Sequence, residues 1–184
     1  MERKAVLVID MLEDFVFGKL KCERAERIIP NLQKLLEAAR ENDIPVIYCN
    51  DAHYPTDFEI KRWGLHALKG SKGARVIKEL EPQEKDYVIE KRVYSAFFET
   101  GLDPLLRSLY EGKGVETLIL TGLHANICVR HTAADAFFRG YKIVVAKDGV
   151  EAFSEEEYKE GIDYLKFAYG AIIKSVDEII KEFK

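Results

Sequence analysis

The amino-acid sequence predicts an α/β protein: a three-layer α/β/α, doubly wound sheet of about six mostly parallel strands. Six short apolar runs alternate with helical patterns along the chain. The runs are continuous in apolar character, which is typical of parallel strands that are covered on both faces. The alternation of strands with helices predicts that the connections are right-handed crossovers and that helices lie on both faces of the sheet.

The predicted strands follow the apolar runs in chain order. They are 4–9 (KAVLVI), 44–49 (IPVIYC), 86–90 (DYVIE), 116–121 (ETLILT), 141–146 (YKIVVA) and 170–174 (GAIIK). Helices are predicted between and after them at 25–42, 102–112, 127–140, 154–168 and 175–183. The second and third of these helices end at glycine, and the last two begin with capping boxes, Ser154 with Glu157 and Ser175 with Glu178.

Length, charge and cysteine content limit the classes of function. The 184 residues predict a single domain over 1–184, long enough to bury about 70% of its unfolded surface. A net charge of −4 gives no general electrostatic reason to bind nucleic acid. No apolar run approaches a membrane span, and the first residues lack the form of a secretory signal. The three scattered cysteines predict no disulfide framework and a reducing, cytoplasmic location.

Three ionisable residues lie at or just beyond the ends of predicted strands. Asp10 ends KAVLVID, Lys91 ends DYVIEK, and Cys128 follows ETLILTG at the start of a helix. Taken singly, each also has an ordinary explanation: a turn cap, a solvated lysine and a core cysteine. The carboxyl ends of parallel strands meet at one edge of a sheet, however, so the three side chains are expected to converge there.

Together these residue types form a complete set for amide hydrolysis. The first turn of a helix carries free N–H groups and partial positive charge, which lower the pKa of a thiol and favour a nucleophilic Cys128. Asp10 can take the thiol proton and return it to the leaving amine, while Lys91 holds the carboxylate and stabilises negative charge. Backbone N–H groups near His124 and Cys128 are expected to form the oxyanion hole.

The same residues lie in four blocks that resemble the isochorismatase-like cysteine hydrolases, which include the nicotinamidases. The blocks occur in the family's order, from the first strand to about residue 150: VLVIDMLEDF, DAH…WGLHALKGSKGA, VIEKRVYSAFFETGLD and LILTGLHANICVRHTAADAFFRGYKIVVAKDGV. The resemblance implies an Asp10–Lys91–Cys128 triad and a cis peptide at Leu123–His124. It also implies a small-molecule amide substrate and a homo-oligomer, since relatives are commonly dimers or tetramers.

The long segment 50–74 supplies a candidate metal site. Asp51, His53 and His66 match the Asp-x-His…His set that binds zinc or a similar divalent ion in nicotinamidases, and a carboxylate with two imidazoles suits such an ion. The same residues could instead be ordinary hydrogen-bonded side chains. Asp57 or Glu59 would either complete the metal's coordination or interfere with it.

Two departures from the family motifs concern the substrate. Leu12 replaces the glutamine of the usual D-x-Q-x-D-F motif, and GLHANIC replaces the frequent G-V-A-T-E-Y-C. Phe15 and Trp63 match positions that wall the pocket in relatives and could sandwich a flat substrate, or they could serve only in ordinary packing. Tyr94, Phe97 and Phe98 are expected in the core or a subunit interface, and His131 in a packing or subunit contact.

Three functions are consistent with the sequence. Isochorismatases proper cleave a vinyl ether by acid chemistry and typically lack the nucleophile, so Cys128 favours amide or ureido substrates. The first hypothesis is a nicotinamidase-like amidase, and the second is a ureido or carbamoyl amidohydrolase of the same fold. The third is a non-enzymatic receiver-type signalling domain. That domain needs a phosphorylatable Asp after its third strand, where this chain has Lys91.

Overall fold

A computed structural model describes residues 2–183 and contains one parallel sheet of six strands. The strand order is β3-β2-β1-β4-β5-β6, and every neighbouring pair is parallel. The strands are β1 (Lys4–Ile9), β2 (Val46–Asp51), β3 (Tyr87–Lys91), β4 (Thr117–Leu123), β5 (Lys142–Glu151) and β6 (Ile172–Lys174). The predicted fold class and the six strands are therefore confirmed.

The five helices predicted from the sequence are present with altered ends, and residues 2–183 also contain two short α-helices, Glu13–Val16 and Phe58–Trp63, that were not predicted. They are α1 (Glu13–Val16), α2 (Ile29–Glu41), α3 (Phe58–Trp63), α4 (Leu102–Ser108), α5 (Cys128–Phe138), α6 (Glu155–Tyr169) and α7 (Val176–Lys181). The helix expected at 25–42 begins as a 3-10 turn, Ala25–Ile28, before α2. The helix expected at 102–112 ends early, and Tyr110 and Glu111 beyond it have φ values of 55° and 57°.

Apolar side chains form two clusters, one on each face of the sheet. In β1, Val6 and Val8 belong to the cluster that includes residues of α2 and α7. Leu7 and Ile9 belong to the other cluster, together with residues of α4, α5 and α6. Successive side chains of a strand point to opposite faces, so the uninterrupted apolar run of β1 supplies both clusters.

The edge strand β3 is more exposed to solvent than the sequence predicted. Continuous apolar character suggested burial on both faces, yet Tyr87 is 38% exposed and Val88 is 51% exposed. β3 is the first strand in the sheet order, so only β2 flanks it and part of its surface reaches solvent. Lys91, its last residue, is buried.

The strand order reverses between β1 and β4, the two central strands, whose connections lead to opposite sides. Ligands of doubly wound sheets bind at such a reversal, beyond the carboxyl ends of the strands. Gly122 permits the close approach of β4 to β1 there, because a Cβ at this position would lie 2.0 Å from the Ile9 carbonyl oxygen. Each helix within residues 2–183 is too short or too polar to cross a bilayer.

Candidate active site

Asp10, Lys91 and Cys128 meet beyond the carboxyl ends of the strands. Asp10 follows β1, Lys91 ends β3 and Cys128 begins α5. The Lys91 ammonium Nζ lies 2.8 Å from Asp10 Oδ2 and 3.6 Å from Cys128 Sγ. All three side chains are buried. The structure thus brings a carboxylate, an ammonium and a thiol from distant parts of the chain into direct contact.

The backbone fixes Asp10 in this position. Asp10 has a left-handed φ of 53°, which turns the chain sharply at the end of β1. Its backbone N–H donates to the Cys49 carbonyl at 3.1 Å, and its Oδ1 accepts a 2.8 Å hydrogen bond from the Asp51 N–H. Oδ2 is then directed to Lys91.

A second carboxylate adds to the buried charge. Asp51 Oδ1 lies 2.5 Å from Lys91 Nζ, so one ammonium serves two carboxylates. Burial, followed by the charge of Asp51, raises the pKa of Asp10 to about 6. Burial alone would lower the pKa of Lys91, but Asp10 and Asp51 outweigh it and raise the pKa. Lys91 therefore stays protonated, while Asp10 is a carboxylate at neutral pH that accepts a proton readily.

The resting state of Cys128 differs from the sequence expectation. The helix start was expected to lower its pKa, but burial raises the pKa of the thiol well above its ordinary value. Lys91 opposes this shift, and Asp10 and Asp51 reinforce it. The site has two negative charges against one positive charge, and a thiolate would add a third negative charge. Cys128 is thus a thiol at rest, and it would need a base in order to act as a nucleophile.

Backbone donors lie beside the thiol. Within residues 2–183 the N–H groups of His124 and Cys128 donate no hydrogen bond, whereas the Ala125 N–H donates to the Glu151 carbonyl at 2.8 Å. The peptide between Leu123 and His124 is cis. No side chain caps α5, so the first turn of the helix keeps free donors next to Sγ.

Asp51 also belongs to a second cluster. Its Oδ1 contacts Lys91, whereas its Oδ2 faces His53, and His66 and Glu59 lie in the same group. One potential ligand atom from each of the four residues lies within 4.8 Å of the others. His53 Nε2 is 3.3 Å from Asp51 Oδ2 and 3.5 Å from Glu59 Oε2, yet it is buried without a hydrogen-bond partner in the described chain. Burial raises the pKa of Glu59 to about 7.

The two imidazoles are oriented as metal ligands would be. His66 Nδ1 lies 2.7 Å from the Gly64 carbonyl and His53 Nδ1 lies 3.1 Å from Asp57 Oδ2. When an imidazole is neutral with its proton on Nδ1, its Nε2 presents a free lone pair to the cluster. Arg92 Nε in turn donates to Asp57 at 3.1 Å. The donor set and the excess of buried negative charge both fit a divalent cation, and Asp57 supports His53 from behind the ligand set.

A cleft of about 300 Å³, a volume that includes its open mouth, leads to Cys128. Its walls are mainly aromatic, and they include both residues expected from the sequence, Phe15 and Trp63. Trp63 Nε1 donates to the Tyr94 hydroxyl at 3.0 Å. Tyr94 was expected in the core or a subunit interface but lines the cleft, whereas Phe97 is in the core and Phe98 is 56% exposed.

Sequence reasoning missed several lining residues, including Phe153 and the side chains of Tyr94 and His124. Phe153 follows the end of β5 by two residues. Its position at the carboxyl edge of the sheet was the available signal. His131, by contrast, is exposed and lies 5.3 Å from Tyr94 between ring centroids.

The doubly wound fold with this cluster at its switch point defines an isochorismatase-like hydrolase. The chain belongs to the isochorismatase family, since the Isochorismatase domain matches residues 4–178. The resemblance inferred from the four sequence blocks is thereby confirmed. The family includes nicotinamidases and carbamoyl amidases among the relatives of this chain.

Three solved structures illustrate the relationship. N-carbamoylsarcosine amidase from Thermoplasma acidophilum is 44% identical, with a TM-score of 0.88 over 96% of this chain and 98% of that one. Nicotinamidase/pyrazinamidase PncA from Bacillus subtilis is 30% identical, with a TM-score of 0.87 over 95% and 100%. A pyrazinamidase from Pyrococcus horikoshii, solved in complex with zinc, shares the fold at 24% identity, with a TM-score of 0.85 over 94% and 99%.

Proposed function

We propose that the chain hydrolyses a small amide through a covalent intermediate on Cys128, with Asp10 as general base and Lys91 as electrostatic support. The observation that carries the proposal is the position of the Lys91 ammonium, in contact with both the Asp10 carboxylate and the Cys128 thiol. The family relationship supports hydrolysis of a C–N bond, because relatives include amidases.

The buried charges determine the order of proton transfers. Asp10 takes the Cys128 proton as sulfur attacks the amide carbon, so the site never holds a free thiolate beside two carboxylates. The N–H groups of His124 and Cys128 stabilise the resulting oxyanion, and Asp10 returns the proton to the departing nitrogen. Water then attacks the thioester and gives one proton to Asp10. As the carbon–sulfur bond breaks and the acid forms, Asp10 passes this proton to the Cys128 sulfur, which restores both the thiol and the carboxylate.

The walls of the cleft favour a neutral, flat substrate. Aromatic side chains predominate, and the charged side chains that line the cleft within residues 2–183 are Asp51 and Glu59. The nearby Lys91 is already paired with two carboxylates. A substrate carboxylate would therefore find no available cation among these residues. A nicotinamide-like amide fits this environment.

A carbamoyl or ureido compound is the second candidate substrate. It is supported by the 44% identity to N-carbamoylsarcosine amidase, and the same thiol chemistry cleaves a ureido C–N bond. The acidic cleft argues against its carboxylate-bearing forms unless a metal ion offsets the charge. The receiver-type alternative loses support, because the strand order differs from the 2-1-3-4-5 order of receiver folds.

We propose further that Asp51, His53 and His66 hold a divalent ion such as zinc, with Glu59 as a fourth ligand. The unpartnered His53 Nε2 and the solved zinc complex of a distant relative support this assignment. A bound cation would offset the buried negative charge and provide an open position to orient a polar atom of the substrate. The single-domain organisation, the homo-oligomeric state and the cytoplasmic location expected from the sequence remain predictions.

The test is an ammonia-release screen over nicotinamide, pyrazinamide, benzamide and N-carbamoylsarcosine, with and without added Zn²⁺. Cys128→Ala is expected to abolish turnover, and Asp10→Asn to reduce kcat by at least about a thousandfold, as typical losses for a nucleophile and its base imply. Cys22→Ala is the matched cysteine control, because Cys22 is buried and does not line the cleft, so turnover should persist. Activity of Cys128→Ala within about tenfold of the parent protein would refute covalent catalysis.

A further inference from the structure

The imidazole of His124 has a position that its backbone role does not require. Its ring lines the cleft together with Cys128. It stacks on Phe153 with ring centroids 4.1 Å apart and planes 24° apart, and it meets Phe15 edge-on at 6.3 Å. The oxyanion donor proposed above is a backbone N–H, which any residue except proline would supply. The choice of histidine therefore needs another explanation.

Both ring nitrogens of His124 lack partners. Nδ1 and Nε2 are buried and form no hydrogen bond within residues 2–183, although the side chain is enclosed by aromatic neighbours. Buried polar atoms are nearly always paired, and a phenylalanine would fill the same space without this cost. Neither nitrogen is exposed to solvent, but the imidazole itself lines the cleft, so a ligand bound there would pair with a nitrogen once the ring rotates toward it.

The environment also fixes what the ring can recognise. Burial lowers the pKa of His124 to about 4, so the imidazole is neutral at pH 7. A neutral imidazole donates one hydrogen bond and accepts another. The stacked Phe153 beside it suits a flat ligand ring. A planar ligand with a hydrogen-bonding ring atom would match both features.

We propose that the His124 side chain determines specificity by hydrogen bonding to a polar ring atom of the substrate, outside the scissile amide. The inference rests on the proposed function and narrows its substrate class to planar heteroaromatic amides. His124 would thus discriminate between amides of the same shape that differ in one ring nitrogen. A site built around such a hydrogen bond rejects the analogue that lacks it, because the buried partner is left unpaired.

The experiment compares benzamide with its three pyridine analogues, picolinamide, nicotinamide and isonicotinamide. Equilibrium binding is measured in the Cys128→Ala background, where no turnover occurs, with a chelator present so that a bound metal makes no contribution. Two double variants carry a further substitution in this background. His124→Phe keeps a flat ring without nitrogens, and His124→Gln provides an amide donor and acceptor. Thermal melts establish that each variant is folded.

We expect one pyridine isomer to bind at least about tenfold tighter than benzamide, equivalent to about 1.4 kcal/mol. His124→Phe should reduce that ratio to within about threefold, and His124→Gln should recover part of it. An unchanged ratio in the Phe variant, no preference in the parent background, or no binding by any of the four amides would overturn the inference.

Turnover measurements separate this inference from the proposed function. In one outcome, His124→Phe with intact Cys128 still releases ammonia from amides and shows the same heteroatom preference. This result would support the proposed function and refute the role of His124. Conversely, a His124-dependent binding ratio in a protein that cleaves no amide would refute the hydrolase proposal and leave the recognition role supported.

Discussion

At the scale of single residues, Lys91 is the group that contacts all the other ionisable side chains of the proposed triad and Asp51. Its ammonium contacts two buried carboxylates and a buried thiol. Removing one partner of a buried ion pair is strongly destabilising, because the remaining charge is left uncompensated. Here the arrangement also has a chemical use. Burial, and after it the charge of the second carboxylate, Asp51, raise the pKa of Asp10, so Asp10 can accept the proton of a poorly acidic thiol.

Activity should depend on pH through Asp10. The proposed base works only as a carboxylate, and its pKa is raised to about 6. We therefore expect kcat/KM to fall as the pH decreases through about 6 and to approach the level of Asp10→Asn below it. A pH–rate profile between pH 4.5 and 8 on a neutral amide, whose own charge does not change, measures this effect.

Unfolding is the alternative cause of such a loss, and the sign of the pKa shift separates the two. The folded-state pKa of Asp10 lies above its unfolded value, so protonation of this group favours the folded protein as the pH falls. Circular dichroism should therefore show a folded protein at pH 5 if Asp10 alone controls the loss. A flat profile from pH 7 to pH 5 would contradict a role for Asp10 as base.

At the scale of elements, α6 supports the loop that leads to the proposed nucleophile. Gly161 in α6 faces that loop, where an added Cβ would lie 2.7 Å from the Ala125 carbonyl carbon and 2.8 Å from the Asn126 nitrogen. Both contacts are to backbone atoms, which cannot move aside as a flexible side chain can. The path of residues 124–128 therefore depends on a glycine more than thirty residues away.

Gly161→Ala should displace this loop. Alanine normally favours a helix, but overpacking against fixed backbone is expected to reduce the free energy of unfolding by about 1–3 kcal/mol. It should also lower kcat more than it raises KM, because the proposed oxyanion donors move. Chemical denaturation and steady-state kinetics measure the two effects.

Lys166→Ala on the same helix is the control. Lys166 is exposed, and its substitution should change the free energy of unfolding by less than about 0.5 kcal/mol. Gly161→Ala with unchanged stability and unchanged kcat would show that α6 does not determine the position of the nucleophile loop.

The position of a residue within its strand or helix determines whether its place in the candidate site could be predicted from the sequence. Asp10, Lys91 and Cys128 were detectable because each lies at the carboxyl end of a strand or the start of the following helix. Phe153, despite its position at the carboxyl edge of the sheet, and the His124 side chain were not identified, because packing between elements, which local patterns do not encode, places them in the wall of the cleft. The raised pKa of Cys128 was missed for a related reason: helix position predicts a lower pKa, whereas burial beside two carboxylates, a tertiary effect, decides the outcome.

At the scale of the whole molecule, the candidate site is formed by two parts of the chain: the carboxyl edge of the sheet and the segment that follows β2. The sheet alone supplies the contact between Asp10 and Lys91, while the segment supplies His53, His66 and the Trp63 wall. Asp51, at the end of β2, belongs to both groups. A cation bound by Asp51 and the two histidines would therefore connect the segment to the sheet, and its binding energy would add to the stability of the fold.

Metal removal should consequently lower the melting temperature. A ligand that binds only the folded state stabilises it by about 2.7 kcal/mol at a free concentration of one hundred times its Kd. For a chain of this size, that corresponds to a rise of roughly 5–11 °C in Tm when Zn²⁺ is added back to chelated protein. Differential scanning calorimetry at a fixed pH measures the shift.

The control must separate two potential sites, because Asp10, Asp51 and Cys128 also place ligand atoms within 4.8 Å of one another. Cys128→Ala removes the sulfur ligand and should retain the full Zn²⁺ shift, whereas His66→Ala should abolish it. His131→Ala, at an exposed histidine outside both groups, should behave as the parent protein does. A shift that survives His66→Ala but disappears with Cys128→Ala would assign the ion to the proposed catalytic thiol and refute the histidine site.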